Sequence, residues 1–233
     1  MCSVGIPRPS AKLCVNVTVH GIGPAERELD RDERETWVGI EQFERVLDAV
    51  AGRDDVRITF DDGNASDVRV ALPKLLERGL SAEFFVPAGL LGEAGRLHAD
   101  DVRELVGAGM SIGSHGWAHR DWRRVDAEQA VEELVEAGDV LRNLTGQPVS
   151  TVAIPFGSYD RHVLRRLRAA KVTRVYTSDG GLARRDSWLQ PRNTLRHDLD
   201  ERWITRTLNS RPSISTRTRR FVARQAKCVR GRP

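Results

Sequence analysis

Residues 56–63 read VRITFDDG, a short β-rich run that ends in two adjacent aspartates and a glycine. Val, Ile, Thr and Phe favour a pleated, half-buried strand, and the glycine is typical of the turn that ends it. An Asp-Asp-Gly turn is common by itself. Successive side chains of a strand point to opposite sides, however, so Asp61 and Asp62 can serve different roles. The segment therefore predicts a strand that places two separate carboxylates at its carboxyl end.

Similar runs recur along the chain and alternate with helical patterns. The β-rich runs are residues 13–19, 82–86, 110–113, 149–154 and 172–177, and the helical patterns are residues 40–50, 100–107, 126–144 and 161–170. Within residues 67–77, Pro73 predicts a kink or a late helix start. Strand–helix repetition predicts a mostly parallel sheet covered by helices, and the number of repeats favours a closed barrel over an open sheet. In either arrangement, active residues are expected at the carboxyl ends of the strands.

Length and composition limit the class of protein. The 233 residues suffice for one large domain with a core, and 39% hydrophobic with 30% charged residues excludes membrane and disordered chains. Three distant cysteines form neither a disulfide framework nor a zinc knuckle. The stretch 21–37 is polar and is expected to be a mobile loop. The N-terminal residues lack the apolar segment of a secretory leader, so we expect a cytoplasmic protein.

The formal net charge of +4 is unevenly distributed. Residues 201–233 carry ten basic residues and one acidic residue, a net charge of +9, whereas residues 1–200 have a net charge of −5. We therefore predict a catalytic domain at residues 1–210 and a solvated, partly disordered basic tail at residues 211–233. The tail predicts no specific binding to nucleic acid, and at most a weak contact with an anionic membrane surface.

A metal site is indicated by an aspartate pair and a histidine pair. Two carboxylates as close as those of Asp61 and Asp62 would raise one pKa unless a cation lies beside them. His115 and His119 lie four residues apart in a loop after the run 110–113. One Asp and two His give three ligands and leave open positions, as a catalytic metal requires. The same set suits non-haem iron, but a spare carboxylate beside the metal favours hydrolysis because it can take a proton from water.

Three motifs together resemble a known family. TFDDG at residues 59–63, SHGWAH at 114–119 and IPFGSYD at 154–160 occur in this order. They are similar to the first three motifs of polysaccharide deacetylases, the NodB-homology domain of carbohydrate esterase family 4. The resemblance spans roughly residues 13–195. It implies a distorted (β/α) barrel and metal-dependent removal of acetyl groups from N-acetylated sugars, with zinc as the default metal.

The resemblance also implies roles for single residues. Asp61 is similar to the general base of the family, and Phe156 to the residue whose N–H, after Pro155, helps to stabilise the oxyanion. Tyr159 and Trp117 are aromatic candidates for the wall of a sugar groove. The implied metal ligands are Asp62, His115 and His119.

Several positions depart from the family pattern. Ala153 stands where many members have an Arg that orients the catalytic Asp, and we expect Arg192 to substitute for it. Gly116 replaces the Ser or Thr that usually follows the first metal-binding histidine, which removes one local hydrogen bond.

The general acid has two candidates. His20, at the end of the first strand, resembles subgroup members with an N-terminal histidine, whereas Leu195-Arg196-His197 fits the family's C-terminal tripeptide literally. Its place at a strand end favours His20. Asp179 resembles the family aspartate that tunes this histidine.

The leading interpretation is a metal-dependent deacetylase of an N-acetylhexosamine-containing glycan or glycolipid. Two alternatives remain open from the sequence. One is a hydrolase of non-sugar C–N bonds on the same barrel, and the other is a non-catalytic glycan-binding protein. Intact base and ligand residues argue against the second alternative.

Overall fold

Parallel strands form the centre of the molecule in the computed structural model, which describes residues 12–209 and 214–229. The strands are β1 Leu13–Val19, β2 Gly21–Ile22, β3 Trp37–Val38, β4 Val56–Phe60, β5 Ala82–Val86, β6 Ser111–Ser114, β7 Thr151–Ala153, β8 Arg174–Thr177, β9 Leu182–Arg184, β10 Leu189–Pro191 and β11 Asn193–Thr194. Helices follow most of the central strands. They are α1 Arg31–Thr36, α2 Ile40–Val50, α3 Leu72–Glu77, α4 Ala99–Gly107, α5 Ala127–Val131, α6 Ala137–Thr145, α7 Arg161–Ala169, α8 Glu201–Ile204 and α9 Ile214–Val229.

The main sheet is a nearly closed barrel, as the sequence predicted. Its order is β10-β8-β7-β6-β5-β4-β1-β11, all parallel, with β9 added antiparallel to β1. The two ends of this order, β10 and β11, are consecutive along the chain and are joined only by Arg192. Arg192 therefore lies at the seam of the barrel.

Apolar packing surrounds the barrel. Helix α2 buries Phe43, Val46, Leu47 and Val50, spaced three and four residues apart on one face, as its sequence pattern predicted. Within the core, the ring of Phe60 on β4 stacks on Phe84 on β5, with ring centroids 4.4 Å apart. Strand β4, which leads into the aspartate pair, is thus held between its neighbours β1 and β5.

The helix predicted at residues 126–144 is present, but it is interrupted. Asp126 caps its start by accepting a hydrogen bond from the Gln129 N–H (2.8 Å), and Gly146 ends it in the left-handed conformation (φ 68°). A wider π-helical turn, Glu132–Glu136, separates α5 from α6. A similar turn, Asp67–Ala71, precedes α3, so the disturbance expected at Pro73 begins before the proline.

Two predictions about irregular segments are wrong. Residues 21–37 are not a featureless loop, because β2 pairs in parallel with β3 and α1 starts at an Asp30 capping box. Part of the basic tail is not free in solvent either, since Ile214–Val229 is a helix that packs against α7. The N-terminal residues 1–11, on which the expected lack of a leader rests, lie outside the described residues, as do 210–213 and 230–233. Among the helices that are described, none is long and apolar enough to cross a membrane.

Candidate active site

The first carboxylate after β4 is held by a buried arginine. Asp61 accepts two hydrogen bonds from Arg192, from Nη1 to Oδ1 and from Nη2 to Oδ2, each at 2.6 Å. The Arg192 side chain is only 1% exposed, and its guanidinium lies 5.4 Å from the Phe85 ring and 5.6 Å from the Tyr176 ring. Two parallel bonds to a planar guanidinium fix the plane of the carboxylate as well as its position. The arginine expected from the sequence thus does contact Asp61.

Electrostatics keep this carboxylate ionised. Burial alone would raise the pKa of Asp61, but the charges of Arg192 and His115 and the hydrogen bonds from Arg192 outweigh it. The pKa of Asp61 therefore lies below its usual value.

The second carboxylate faces the histidine pair. Oδ1 of Asp62 lies 3.3 Å from Nε2 of His115 and 3.4 Å from Nε2 of His119. The ligand atoms of these three residues all lie within 4.8 Å of one another. Oδ1 is buried, yet it accepts no hydrogen bond from the residues that the structure describes. Three converging ligand atoms, one of them this buried oxygen, fit a divalent cation.

The protonation of the two imidazoles differs. Nδ1 of His115 donates to the Ala153 carbonyl oxygen at 2.9 Å, which leaves Nε2 free to act as a ligand. Burial lowers the pKa of His115, but the charges of Asp61 and Asp62 raise it by more. Burial together with the charge of His115 lowers the pKa of His119 to about 4, so His119 is neutral near pH 7.

Backbone strain is concentrated at this site. Asp62 (φ 74°), His119 (φ 52°) and Phe156 (φ 58°) have positive φ angles, and Lys171 is the other such non-glycine residue in the described chain. Residues other than glycine rarely adopt this backbone conformation, which costs of the order of 1–3 kcal/mol at each residue. The fold therefore holds these side chains in place against a local preference.

The structure distinguishes between the two histidines proposed as general acid. His20 follows β1 and lines the cavity, and its Nε2 lies 4.0 Å from Oδ2 of Asp61. His197 lies outside the cavity with its side chain 53% exposed, and its Nδ1 donates to the Glu35 carbonyl oxygen at 3.3 Å. Of the two candidates, His20 is therefore the one that lines the cavity beside Asp61.

The floor of an open cavity of about 570 Å³ is formed by Asp61, Asp62, His20, His115 and His119. Its walls come from the segment 30–36, from the loop at Phe156, and from residues 178–180 and 203–207. Trp203 on α8 also lines the cavity, although it follows the last recognised motif and was not among the predicted site residues. A Trp placed one turn before a polar Arg206-Thr207 pair was the available signal.

Comparison with known proteins agrees with this geometry. The family model for polysaccharide deacetylase matches residues 48–175, more than half of the chain. The chain belongs to the polysaccharide deacetylase family. The matched region contains the two aspartates after β4, the histidine pair after β6 and the loop at Phe156.

Two curated deacetylases are related in sequence. The chitooligosaccharide deacetylase of Rhizobium leguminosarum bv. trifolii is 29% identical over 131 residues, which are 55% of this chain and 59% of that protein. The peptidoglycan-N-acetylmuramic acid deacetylase PdaC of Bacillus subtilis (strain 168) is 23% identical over 114 residues, 48% of this chain and 24% of PdaC. The chain thus spans less than two thirds of either curated relative.

Solved structures share the fold at low sequence identity. The Streptococcus pyogenes deacetylase PplD, in complex with acetate, has a TM-score of 0.75 at 19% identity and covers 86% of this chain and 100% of its own. BC0361, a polysaccharide deacetylase from Bacillus cereus, has a TM-score of 0.71 at 19% identity, with 81% of this chain and 66% of its own covered. Both similarities support the barrel assignment.

In this member of the family, Asp179 has partners that the sequence did not indicate. Its Oδ2 accepts hydrogen bonds from the hydroxyls of Tyr159 (2.7 Å) and Thr177 (2.8 Å), and its Oδ1 accepts one from Nζ of Lys227 on α9 (2.7 Å). Burial would raise the pKa of Asp179, but the hydrogen bonds from Lys227 and Tyr159 lower it. The expected pairing of Asp179 with His20 is not among its hydrogen bonds to described residues, although both residues line the cavity.

The aromatic candidates fall into two groups. Phe156 is 63% exposed, lines the cavity and packs its ring on His119 at 4.4 Å, whereas Pro155 beneath it is buried. Tyr159 is buried and is not among the residues that line the cavity, but its hydroxyl donates to Asp179, which is. Trp117 does not line the cavity, because its indole covers Gly89 and packs on the core. Trp117 is therefore not part of the wall of this cavity, and its contribution to a sugar groove stays a prediction.

Proposed function

We propose that this protein is a metal-dependent deacetylase that hydrolyses the N-acetyl group of an N-acetylhexosamine unit in a glycan or glycolipid. The observation that supports this proposal is that the adjacent residues Asp61 and Asp62 have different partners. Both oxygens of Asp61 accept hydrogen bonds from Arg192, whereas Oδ1 of Asp62 faces two imidazoles and accepts no hydrogen bond from the described residues. A base and a cation site therefore lie side by side on the floor of one open cavity.

The cation site is proposed at Asp62, His115 and His119. A divalent ion bound there, Zn²⁺ by default, supplies Lewis-acid polarisation of the amide carbonyl and lowers the pKa of a coordinated water. The Ala153 carbonyl fixes the tautomer of His115, and the low pKa of His119 keeps its imidazole free of a competing proton.

Asp61 is proposed as the general base. Arg192 holds both of its oxygens, so the carboxylate keeps one orientation and stays ionised at neutral pH. Only small movement is then needed for it to take a proton from a water on the cavity floor.

His20 is proposed as the general acid and the Phe156 N–H as a donor to the oxyanion. Nε2 of His20 lies 4.0 Å from Oδ2 of Asp61, and His20 lines the cavity in which the leaving amine would form. The positive φ of Phe156 turns the backbone of the Pro155–Gly157 segment at the cavity wall. An amide donor placed where negative charge develops stabilises a tetrahedral intermediate.

The experiment is acetate release from N-acetylated chitooligosaccharides by Zn²⁺-loaded protein. We expect acetate and a free amine in equal amounts, and none from protein treated with a chelator. Hydrolysis of cyclic, non-sugar amides without any acetate release from sugars would instead support the alternative hydrolase. Glycan binding without release of any product would support a binding protein and contradict this proposal.

A weak contact with an anionic membrane surface is a second proposal for the same protein. Helix α9 exposes Phe221, Val222 and Val229, and Arg219 is exposed beside them. Apolar side chains next to basic ones favour the interface of a negatively charged bilayer. The variant Phe221→Ser/Val222→Ser should bind vesicles with phosphatidylserine less than the wild type does, whereas Val131→Ser, a change of another exposed valine, should not. Equal vesicle binding by all three proteins would contradict this contact.

A further inference from the structure

A buried glutamate lies directly behind the histidine pair. Glu133, in the π-helical turn between α5 and α6, is 0% exposed. Its Oε2 accepts hydrogen bonds from the Trp117 N–H (2.9 Å) and from the Trp122 indole (3.1 Å). Its Oε1 accepts the Ala118 N–H at 3.0 Å and Nη1 of Arg120 at 3.3 Å. Four donors therefore meet one carboxylate, and two of them are consecutive peptide groups between His115 and His119.

Gly116 is shaped to admit this carboxylate. A Cβ at residue 116 would lie 2.1 Å from Oε2 of Glu133, closer than any stable contact allows. The backbone φ angle of Gly116 is +81°, a conformation that residues other than glycine rarely adopt. Gly116 stands where a Ser or Thr hydroxyl was expected to brace the loop. The carboxylate of Glu133 occupies the space that such a side chain would need.

The geometry points to Glu133 as the positioning residue that sets the distance and direction between His115 and His119. The side chain contacts no substrate and acts only through the loop. Buried N–H groups without acceptors are costly, so loss of the carboxylate would release the two peptide groups and the strained His119 that follows them. The π-helical turn gives Glu133 this role, because a wider turn moves its side chain relative to regular helical spacing.

The inference rests on the cation site proposed above and is tested by Zn²⁺ affinity, measured by competition with a chromogenic chelator. Glu133→Gln keeps the size of the side chain but brings an NH₂ group against N–H donors. We expect its Kd for Zn²⁺ to rise about 10–100-fold, the usual range for residues that orient metal ligands. The matched control is Glu132→Gln, which alters the adjacent residue, an ion-pair partner of Arg120, and should change the Kd less than about twofold.

Two further results separate positioning from general stability. All metal-free proteins are compared at a temperature where circular dichroism shows them fully folded, and Glu133→Asp replaces Glu133→Gln if the latter does not fold. Gly116→Ala should raise the Kd in the wild-type background and add less to it in Glu133→Ala, because the clash is then absent and only the backbone strain at φ +81° remains. Wild-type Zn²⁺ affinity in folded Glu133→Gln or Glu133→Asp would overturn the role of Glu133. Failure of the wild type itself to bind Zn²⁺ would instead overturn the proposed cation site.

Discussion

The two aspartates that follow β4 are neighbours in sequence and differ in nearly everything else. Asp61 has both oxygens bound by a buried guanidinium, and Asp62 has one buried oxygen that accepts no hydrogen bond from the described residues. The first carboxylate has its charge partner within the protein, while the second faces two imidazoles and is available to the proposed cation. The difference teaches that adjacent like charges can be separated by giving each its own counter-charge.

The largest effect on activity is expected when Asp61 loses its charge. Asp61→Asn should lower the turnover of N-acetylated chitooligosaccharides by about 10³-fold, because Asp61 is the carboxylate that lies beside the proposed cation site without being one of its ligands. The variant should still bind one Zn²⁺ per chain, measured by atomic emission after dialysis. Near wild-type turnover would remove Asp61 from the proposed mechanism.

Removing the partner of Asp61 tests whether the pair is a unit. Arg192→Met leaves a buried carboxylate unpaired, so the free energy of unfolding in urea should fall by about 3–5 kcal/mol. Without Arg192 the pKa of Asp61 rises. Activity that needs an ionised Asp61 is lost as the pH falls through this pKa, so kcat/KM should decline at a higher pH than in the wild type. A variant with unchanged stability and an unchanged pH profile would show that the ion pair is not needed.

A change at Asp62, the aspartate of the proposed cation site, should have a different effect from a change in the Asp61–Arg192 pair. Asp62→Asn is expected to weaken Zn²⁺ binding at least about 100-fold, since one of three ligands loses its charge. Stability without metal should fall by less than in Arg192→Met, because the Asp61–Arg192 pair is intact and Asp62 loses only its charge interactions with His115 and His119. Isothermal titration with Zn²⁺ and urea unfolding of metal-free protein measure the two quantities. Strong destabilisation of the metal-free variant would mean that Asp62 has a structural partner that this account omits.

The smallest effect concerns the contact between α9 and the barrel. Lys227→Met removes the ion pair with Asp179 and should reduce the free energy of unfolding by about 0.5–1 kcal/mol at pH 7, because solvent screens the partly exposed lysine. The pKa of Asp179 is lowered in the folded state. The stabilisation is therefore complete above the usual aspartate pKa and is lost as the pH falls through the lowered pKa. Wild type and variant should converge below that pH, and a difference that persists there would contradict the assignment.

Much of the barrel and its site could be predicted from sequence, because periodicity and strand ends are local signals. The strands 13–19, 56–60 and 82–86 and the helix 40–50 have the predicted bounds, and the family motifs indicated the residues of the cavity floor. Arg192 was predicted as a substitute without any sign that it joins β10 to β11. Its place at the seam depends on barrel closure, which residues near it in sequence do not determine.

Contacts between distant segments were not predictable in this way. Glu133 lies in a helix whose pattern indicated only an amphipathic face, and its burial depends on a π-helical turn. The basic tail was interpreted from its charge alone, so the contact of Lys227 with Asp179 was missed. Trp117 was predicted as an aromatic candidate for the wall of a sugar groove, but its indole packs over Gly89, where a Cβ would lie 2.3 Å from Nε1.

The central claim is that Asp62 and not Asp61 belongs to the cation site. A crystal structure of the Zn²⁺-loaded protein, with anomalous data collected at the zinc edge, tests it most directly. We expect one anomalous peak about 2.0–2.2 Å from ligand atoms of Asp62, His115 and His119, with Asp61 still paired to Arg192. A peak coordinated by Asp61, or one placed away from the two histidines, would contradict the account.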